Sequence, residues 1–213
     1  MPDLTQLREA VISGDAANAR TITAQALAEA VDPMQLVNAW LVPAMDEVGR
    51  RFECNDYFVP ELLISARAMK AALELIRPLL KARGTKALAR IAIGTVKGDL
   101  HDIGKNLVAS LLEGGGFEVI DLGVNVPPEK FVASIKEHEA TIIAMSALLT
   151  TTMPAMRATI EALKQAGLRD RVKVLVGGAP ITQKYADEIG ADGYSENAVG
   201  AVALAKQAAA PAA

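Results

Sequence analysis

Residues 88–106 read LARIAIGTVKGDLHDIGKN. The run LARIAIGT (88–95) has the length and apolar content of a buried strand, and from about residue 104 helical spacing takes over until Gly114-Gly115-Gly116 stops it. The connection Gly94–Asn106 is long for a strand-to-helix turn. It sets His101 at the carboxyl end of a strand, with a carboxylate, Asp99, two residues before it.

Downstream the same grammar repeats. Strands are predicted at 88–95, 117–121, 140–146, 172–177 and 191–194, and helices near 104–114, 128–138, 153–166, 180–189 and 196–208. Alternation of this kind implies parallel strands joined by right-handed crossovers. The tail AAAPAA is expected to fray. In such a sheet ligands bind outside the carboxyl ends of the strands, so the loops after strands one, three and four carry the interest.

Upstream, residues 1–82 are helical in pattern. Leu4, Leu7 and Val11 mark a first helix, ended by Gly14-Asp15, and Ile22, Ala26 and Ala30 line a second. Asp32-Pro33 caps a third, which carries Val37, Trp40, Leu41, Met45 and Val48 and is predicted to bend at Pro43. Pro60 opens a fourth, with Leu63, Ala66, Met69, Leu73 and Ile76 on one stripe. The fold class is α/β: an N-terminal four-helix bundle (1–83), then a flavodoxin-like, Rossmann-like doubly wound five-stranded parallel sheet (89–210).

Of the 213 residues 51% are hydrophobic, and 22 basic against 25 acidic residues give a net charge of -3. That balance argues against a nucleic-acid partner. The densest basic stretch, Lys81, Arg83, Lys86 and Arg90, reads as a solvated segment. Cys54 is the sole cysteine, which excludes a disulfide framework within the chain and suits a reducing cytoplasm, its thiol half-buried or inert. There is no signal pattern and no apolar run long enough to span a bilayer, so no membrane role is expected.

Asp99 can accept a hydrogen bond from one imidazole nitrogen and leave the other free to ligate a metal. A capping loop, with Asp99 or Asp102 at the helix start, accounts for the same residues. Zinc needs at least three protein ligands, and the other histidine, His138, sits in the charged helix end Lys136-Glu-His-Glu139. One histidine suffices where a macrocycle supplies the remaining ligands.

GDLHDIGKN resembles the cobalamin-binding signature of methionine synthase and of the corrinoid proteins of methanol, methylamine and methoxyaromatic methyltransferase systems. Ser146-Ala-Leu148 matches the family's S-x-L at the end of strand three, and Gly177-Gly178 matches its G-G at the end of strand four. The resemblance implies cobalamin, as methylcobalamin or another corrinoid, bound with its own base displaced. His101 would then be the lower axial ligand of cobalt and Asp99 its partner, both serving catalysis. Further cofactor contacts would fall on Asp102, Ile103, Gly104, Thr150 and Thr152, the last placed to extend the relay from His101 through Asp99. Residues 190–194 (GADGY) resemble the family only as packing and backbone contacts.

The stretch Asn55–Met69 resembles the signature of the family's helical cap. By that resemblance Phe58 faces the methyl group over the upper corrin face; Leu62 shares that surface or belongs to the bundle core. A cap must move aside for transfer, so a mobile linker is expected near 82–88, where Gly84-Thr85 permits one.

The function implied is methyl carriage on cobalt. This chain would be the corrinoid subunit of a methyltransferase system, with no complete catalytic site of its own. Its partners would be a substrate-specific methyltransferase, a barrel enzyme in the family, an acceptor methyltransferase using tetrahydrofolate or coenzyme M, and a reductive activase. The alternative is a cobalamin- or light-responsive sensor without catalytic activity, against which stands the lack of a DNA-reading segment; a mutase small subunit would lack residues 1–82.

Overall fold

The computed structural model describes residues 3–82 and 87–210. Two compact units emerge, Met1–Ala87 with Glu113–Gly116, and Leu88–Leu112 with Phe117–Ala213. The linker expected around Gly84-Thr85, the basic residues Arg83 and Lys86, and the last three residues of the tail lie outside the described residues.

In the first unit, α1 (Leu4–Ser13) starts at Asp3, whose side chain accepts the Thr5 amide, and ends at Gly14 with φ 78°. A side chain at Gly14 would collide with Ile64 as well as strain the backbone. Helix α2 (Ala16–Ala28) is capped by Asp15 and buries Ile22 and Ala26. Ala30, predicted on the same stripe, lies past the helix end with φ 59° and is exposed.

Asp32 accepts the Gln35 amide at 3.0 Å and Pro33 opens α3 (Pro33–Leu36), as predicted. The chain then widens into a π-helical turn, Val37–Leu41, before α4 (Val42–Glu53). That turn directly precedes Pro43, whose ring and missing N–H disrupt the regular ladder, so the expected bend takes the form of a wider turn. Trp40 on this turn has a buried Nε1 with no hydrogen-bond acceptor among the described residues.

Helix α5 (Val59–Ala82) begins beside Phe58, whose amide donates to Glu61. Its buried stripe runs through Leu62, Ala66, Met69, Leu73 and Ile76, whereas Leu63 is exposed. The stripe is thus rotated by one residue at its start. The hydroxyls of Tyr57 and Ser65 both donate to the Ile12 carbonyl, at 3.2 and 3.0 Å, tying this helix and the loop before it to the end of α1. Cys54 is exposed rather than half-buried.

The second unit alternates β1 (Arg90–Thr95), α6 (Ile103–Gly114), β2 (Glu118–Asp121), α7 (Pro128–Glu137), β3 (Ile142–Ser146), α8 (Pro154–Gln165), β4 (Lys173–Gly177), α9 (Gln183–Ile189), β5 (Gly193–Ser195) and α10 (Ala198–Ala209). All strand pairs are parallel and their order is β2-β1-β3-β4-β5, a flavodoxin-like arrangement with its switch point between β1 and β3. Ala208 and Ala209, expected to fray, complete α10. Arg90 opens β1 and pairs with Glu118 and Glu139, so it belongs to the sheet rather than to a basic segment.

Two apolar clusters sandwich the sheet. One joins Phe131, Ile135, Met156, Ile160, Leu163 and Ile189 of α7, α8 and α9 to Ile143, Val174 and Val176. The other joins Leu112 of α6 and Ala205 of α10 to Ile91, Ile93, Ile142 and Leu175. This layering leaves the carboxyl ends of β1, β3 and β4 at one rim.

Candidate functional site

At that rim the loop after β1 folds around one buried carboxylate. Asp99 is fully buried, and its two oxygens divide their work between two loops. Oδ1 accepts from the His101 amide at 3.1 Å and stands 2.7 Å from His101 Nδ1. Oδ2 accepts from the amides of Leu148 at 2.8 Å and Leu149 at 3.3 Å, and from the Thr152 hydroxyl at 2.7 Å. The single Thr152 proton has the Leu149 carbonyl within 2.8 Å as well, but the ionised carboxylate is the stronger acceptor.

Burial alone would push the Asp99 carboxyl up. The Leu148 amide, the His101 ring, the Thr152 hydroxyl and the His101 amide together outweigh it and hold the group well below the usual carboxylate range. An ionised Asp99 can only accept, so the hydrogen bond makes His101 Nδ1 its donor and leaves Nε2 on the far side of the ring. The His101 side chain is half exposed, its ring anchored at one nitrogen and available at the other.

The same loop opens α6. The Asp102 carbonyl accepts the Asn106 amide at 2.7 Å and its carboxylate accepts from the Asn106 side chain at 3.1 Å. Of the two capping alternatives, Asp102 therefore occupies the helix start and Asp99 does not. Ile103 is 81% exposed and Leu100 71%, and with Val124, Leu148 and Leu149 they form an apolar fringe on the loops that meet at Asp99. Among the described residues a Cβ added at Gly104 would meet nothing within 4 Å, so none of them requires glycine there.

Beneath this fringe one face of the sheet is only partly covered. Ala144, Ser146 and Gly177 lie on interior strands yet are only half buried, as are Val108 of α6 and Val202 of α10 on the same face. The Ser146 carbonyl accepts from Val96 at 3.0 Å, and the Gly177 carbonyl from Ala147 at 3.2 Å. Gly178 is demanded by the fold itself: its φ is 125° and a Cβ would collide with the Ala147 carbonyl oxygen. Thr150 is exposed beside these residues.

Asp99, His101, Leu148 and Thr152 are thus in direct contact, with Ser146, Gly177 and Gly178 on the neighbouring strand ends. Phe58 and Leu62 belong to the helical unit, where Phe58 is 60% exposed and Leu62 fully buried, so the two do not share an exposed surface. His138 is exposed at the end of α7, and among the described residues no three His, Cys, Asp or Glu side chains converge as a metal cluster would require. No helix among them is long and apolar enough to cross a membrane.

Two contributors have partners that the sequence does not reveal. Asn125, in the loop after β2, accepts the Gly98 amide at 2.8 Å through Oδ1 and donates its own amide to the Asp99 carbonyl at 2.9 Å. Lys105, buried on α6, places Nζ 2.6 Å from both oxygens of Asp121. In the sequence Asn125 is one asparagine among turn residues before Pro127-Pro128, and Lys105 has the pattern of an ordinary solvated helix lysine.

Residues 89–203 match the family model of the B12 binding domain, and residues 4–77 match a second model of the same description. The chain is 45% identical over 207 residues to trimethylamine corrinoid protein 1 of Methanosarcina mazei, covering 96% of each chain. It is 45% identical over 206 residues to the dimethylamine corrinoid protein of Methanosarcina barkeri, again covering 96% of each. Among solved structures it resembles a cobalamin-binding protein from Desulfitobacterium hafniense DCB-2, with TM-score 0.79 and 35% identity over 97% of this chain and 98% of that one. It also resembles a chain of the methanol:cobalamin methyltransferase complex from Methanosarcina barkeri, with TM-score 0.85 and 28% identity over 97% of this chain and 79% of that one.

Proposed function

This chain belongs to the family of B12-binding corrinoid proteins, and from that premise we propose that it carries a methyl group on cobalamin between two methyltransferases, with His101 as the lower axial ligand of cobalt. The observation that carries this reading is the relay from Thr152 through Asp99 to His101, with both links at 2.7 Å. It presents an imidazole with one nitrogen fixed as donor and the other outside the relay.

The residues present fit the cofactor. Gly104 and the exposed Leu100, Ile103 and Leu148 offer an apolar seat beside the histidine, with Asp102 and Thr150 as polar neighbours. The partly covered face at Ala144, Ser146 and Gly177 suits a displaced nucleotide tail, which needs small side chains and a hydroxyl donor. Gly178 contributes by letting the loops after β3 and β4 approach closely. Cobalamin, when bound, supplies a cobalt centre able to accept a methyl group and give it up to a nucleophile.

The chain's own part is to hold that centre. Asp99 fixes the imidazole tautomer, and Thr152, Leu148 and Leu149 keep Asp99 ionised and stationary. A domain organisation of 1–83 and 89–210 is supported by the division of the chain at Ala87/Leu88. Within the helical unit Phe58 is the residue offered to the methyl group on the cofactor, a reading supported by the exposure of that side chain. The naming of relatives as methylamine corrinoid proteins supports a methylamine-type methyl donor and a dedicated methyltransferase partner. The acceptor methyltransferase and a reductive activase complete the cycle in the cytoplasm.

The test is spectroscopic. His101→Ala is expected to shift the absorption spectrum of bound cobalamin while leaving the fold intact; an unchanged spectrum removes His101 from the ligand role.

A further inference from the structure

Three neighbours hold the Asp99–His101 turn: the Thr95 hydroxyl, which donates to the His101 carbonyl at 2.8 Å, the loop after β2, and the β3–α8 loop. That loop grips the Asp99 carboxylate. The backbone of the turn is gripped by the loop after β2, at Asn125.

Asn125 has φ 51°, in the left-handed region that asparagine tolerates better than most residues. In that conformation its side-chain oxygen and its own amide face two consecutive residues of the turn. Oδ1 accepts from Gly98, whose φ is 86°, and the amide donates to the Asp99 carbonyl. The Asp99 amide in turn donates to Val96 at 3.1 Å, so both peptide groups of Asp99 are fixed. The β2 loop is itself docked on β1, through Thr95 to Gly123 and Val126 to Thr95, at 3.0 and 2.9 Å. Rotation of the Asp99 peptides would carry Oδ1, and with it the direction in which Nε2 of the bonded ring points.

We infer that Asn125 is a positioning residue for the axial ligand: by clamping the Gly98–Asp99 backbone it sets the orientation of the His101 ring. The inference rests on the reading of His101 as the cobalt ligand. Asn125 makes its hydrogen bonds to the turn at Gly98 and at the Asp99 carbonyl, not at the His101 ring. Its effect appears in how completely His101 occupies the coordination position, because a looser turn spends more time with Nε2 out of line.

Apo-protein is loaded with hydroxocobalamin, and the ratio of histidine-bound to histidine-free cofactor is read from the absorption spectrum. The reduced cobalt(II) form is read from the nitrogen hyperfine splitting of its electron paramagnetic resonance spectrum. Asn125→Ala and Asn125→Gly are expected to lower that ratio by about tenfold, the effect of losing one well-formed hydrogen bond. Glycine relieves the φ of 51°, so it keeps the test readable should alanine fold poorly. Asn125→Asp, which retains the acceptor, is expected to stay within about threefold of the parent. A ratio unchanged in the alanine and glycine variants overturns the inference, as does an aspartate variant as impaired as alanine. The His101→Ala spectrum, recorded in parallel, reports separately on the ligand reading: if it equals the parent's, that reading fails whatever Asn125 does.

Discussion

Thr152 Oγ1 lies 2.7 Å from Asp99 Oδ2 although 53 residues separate the two in the chain. The contact joins the loop after β3 to the loop after β1, the two strands that flank the topological switch point. Both groups are buried, so the hydroxyl has no water to replace the carboxylate.

Removing that hydroxyl should be felt in stability before any cofactor binds. Thr152→Val is expected to cost about 1–3 kcal/mol, the range for a hydrogen bond to a buried charge, and Thr152→Ser less than about 1 kcal/mol. Urea denaturation of the apo-protein measures both, and equal costs for valine and serine would show that the hydroxyl is not the source.

The Lys105–Asp121 pair is asymmetric, with the ammonium 2% and the carboxylate 46% exposed. Deleting the buried partner frees a carboxylate that water can reach; deleting the exposed partner strands a buried cation. Asp121→Ala is therefore expected to destabilise by about 2–3 kcal/mol, below the roughly 3–5 of a fully buried pair, and Lys105→Met by less. The reverse order in chemical denaturation would refute the assignment of the burial cost to Lys105.

Glu47 supplies a pH signature in the helical unit. Hydrogen bonds from Arg50 and Arg51 bring its carboxyl down from the ordinary 4.5 to about 2. A depressed folded-state value means stability present above about 4.5 and lost as pH falls toward 2. Glu47→Gln should flatten that part of the stability profile, and thermal melts between pH 5 and 2 that run parallel for parent and variant would contradict it.

Much of this architecture is legible in the chain because each element carries its own local signal. Asp32-Pro33, Gly14 and the triple glycine at 114–116 act within a turn or two, and β1 to β4 are short apolar runs with clear ends. Register within α5 is less legible because Leu62-Leu63-Ile64 are all apolar, and a continuous run gives helical spacing no contrast by which to choose a face. The π turn at Val37–Leu41 changes the period itself, which no fixed template follows. In the site, the D-x-H-x-x-G turn and the S-x-L and G-G strand ends are visible as motifs. The pairings of Asn125 with Gly98 and of Lys105 with Asp121 are not, since the partners stand 27 and 16 residues apart.

The glycines separate what the fold requires from what the cofactor requires. Gly178→Ala combines a φ of 125° with a collision against the Ala147 carbonyl, so it should destabilise the apo-protein by more than about 2 kcal/mol.

Gly104 makes the opposite case. It lies in the first turn of α6 with open space where a Cβ would go, so alanine there costs no contact and gains helix propensity. Gly104→Ala is expected to leave apo-protein stability unchanged or raise it by up to about 1 kcal/mol. If the missing side chain instead makes room for the corrin ring beside His101, the same variant should bind hydroxocobalamin at least about tenfold more weakly, since a methyl group forced into a packed interface typically costs about 1–3 kcal/mol. Equilibrium dialysis and urea denaturation on one preparation measure the two effects. Undiminished binding would mean that the glycine serves neither fold nor ligand, and would move the corrin seat away from the start of α6.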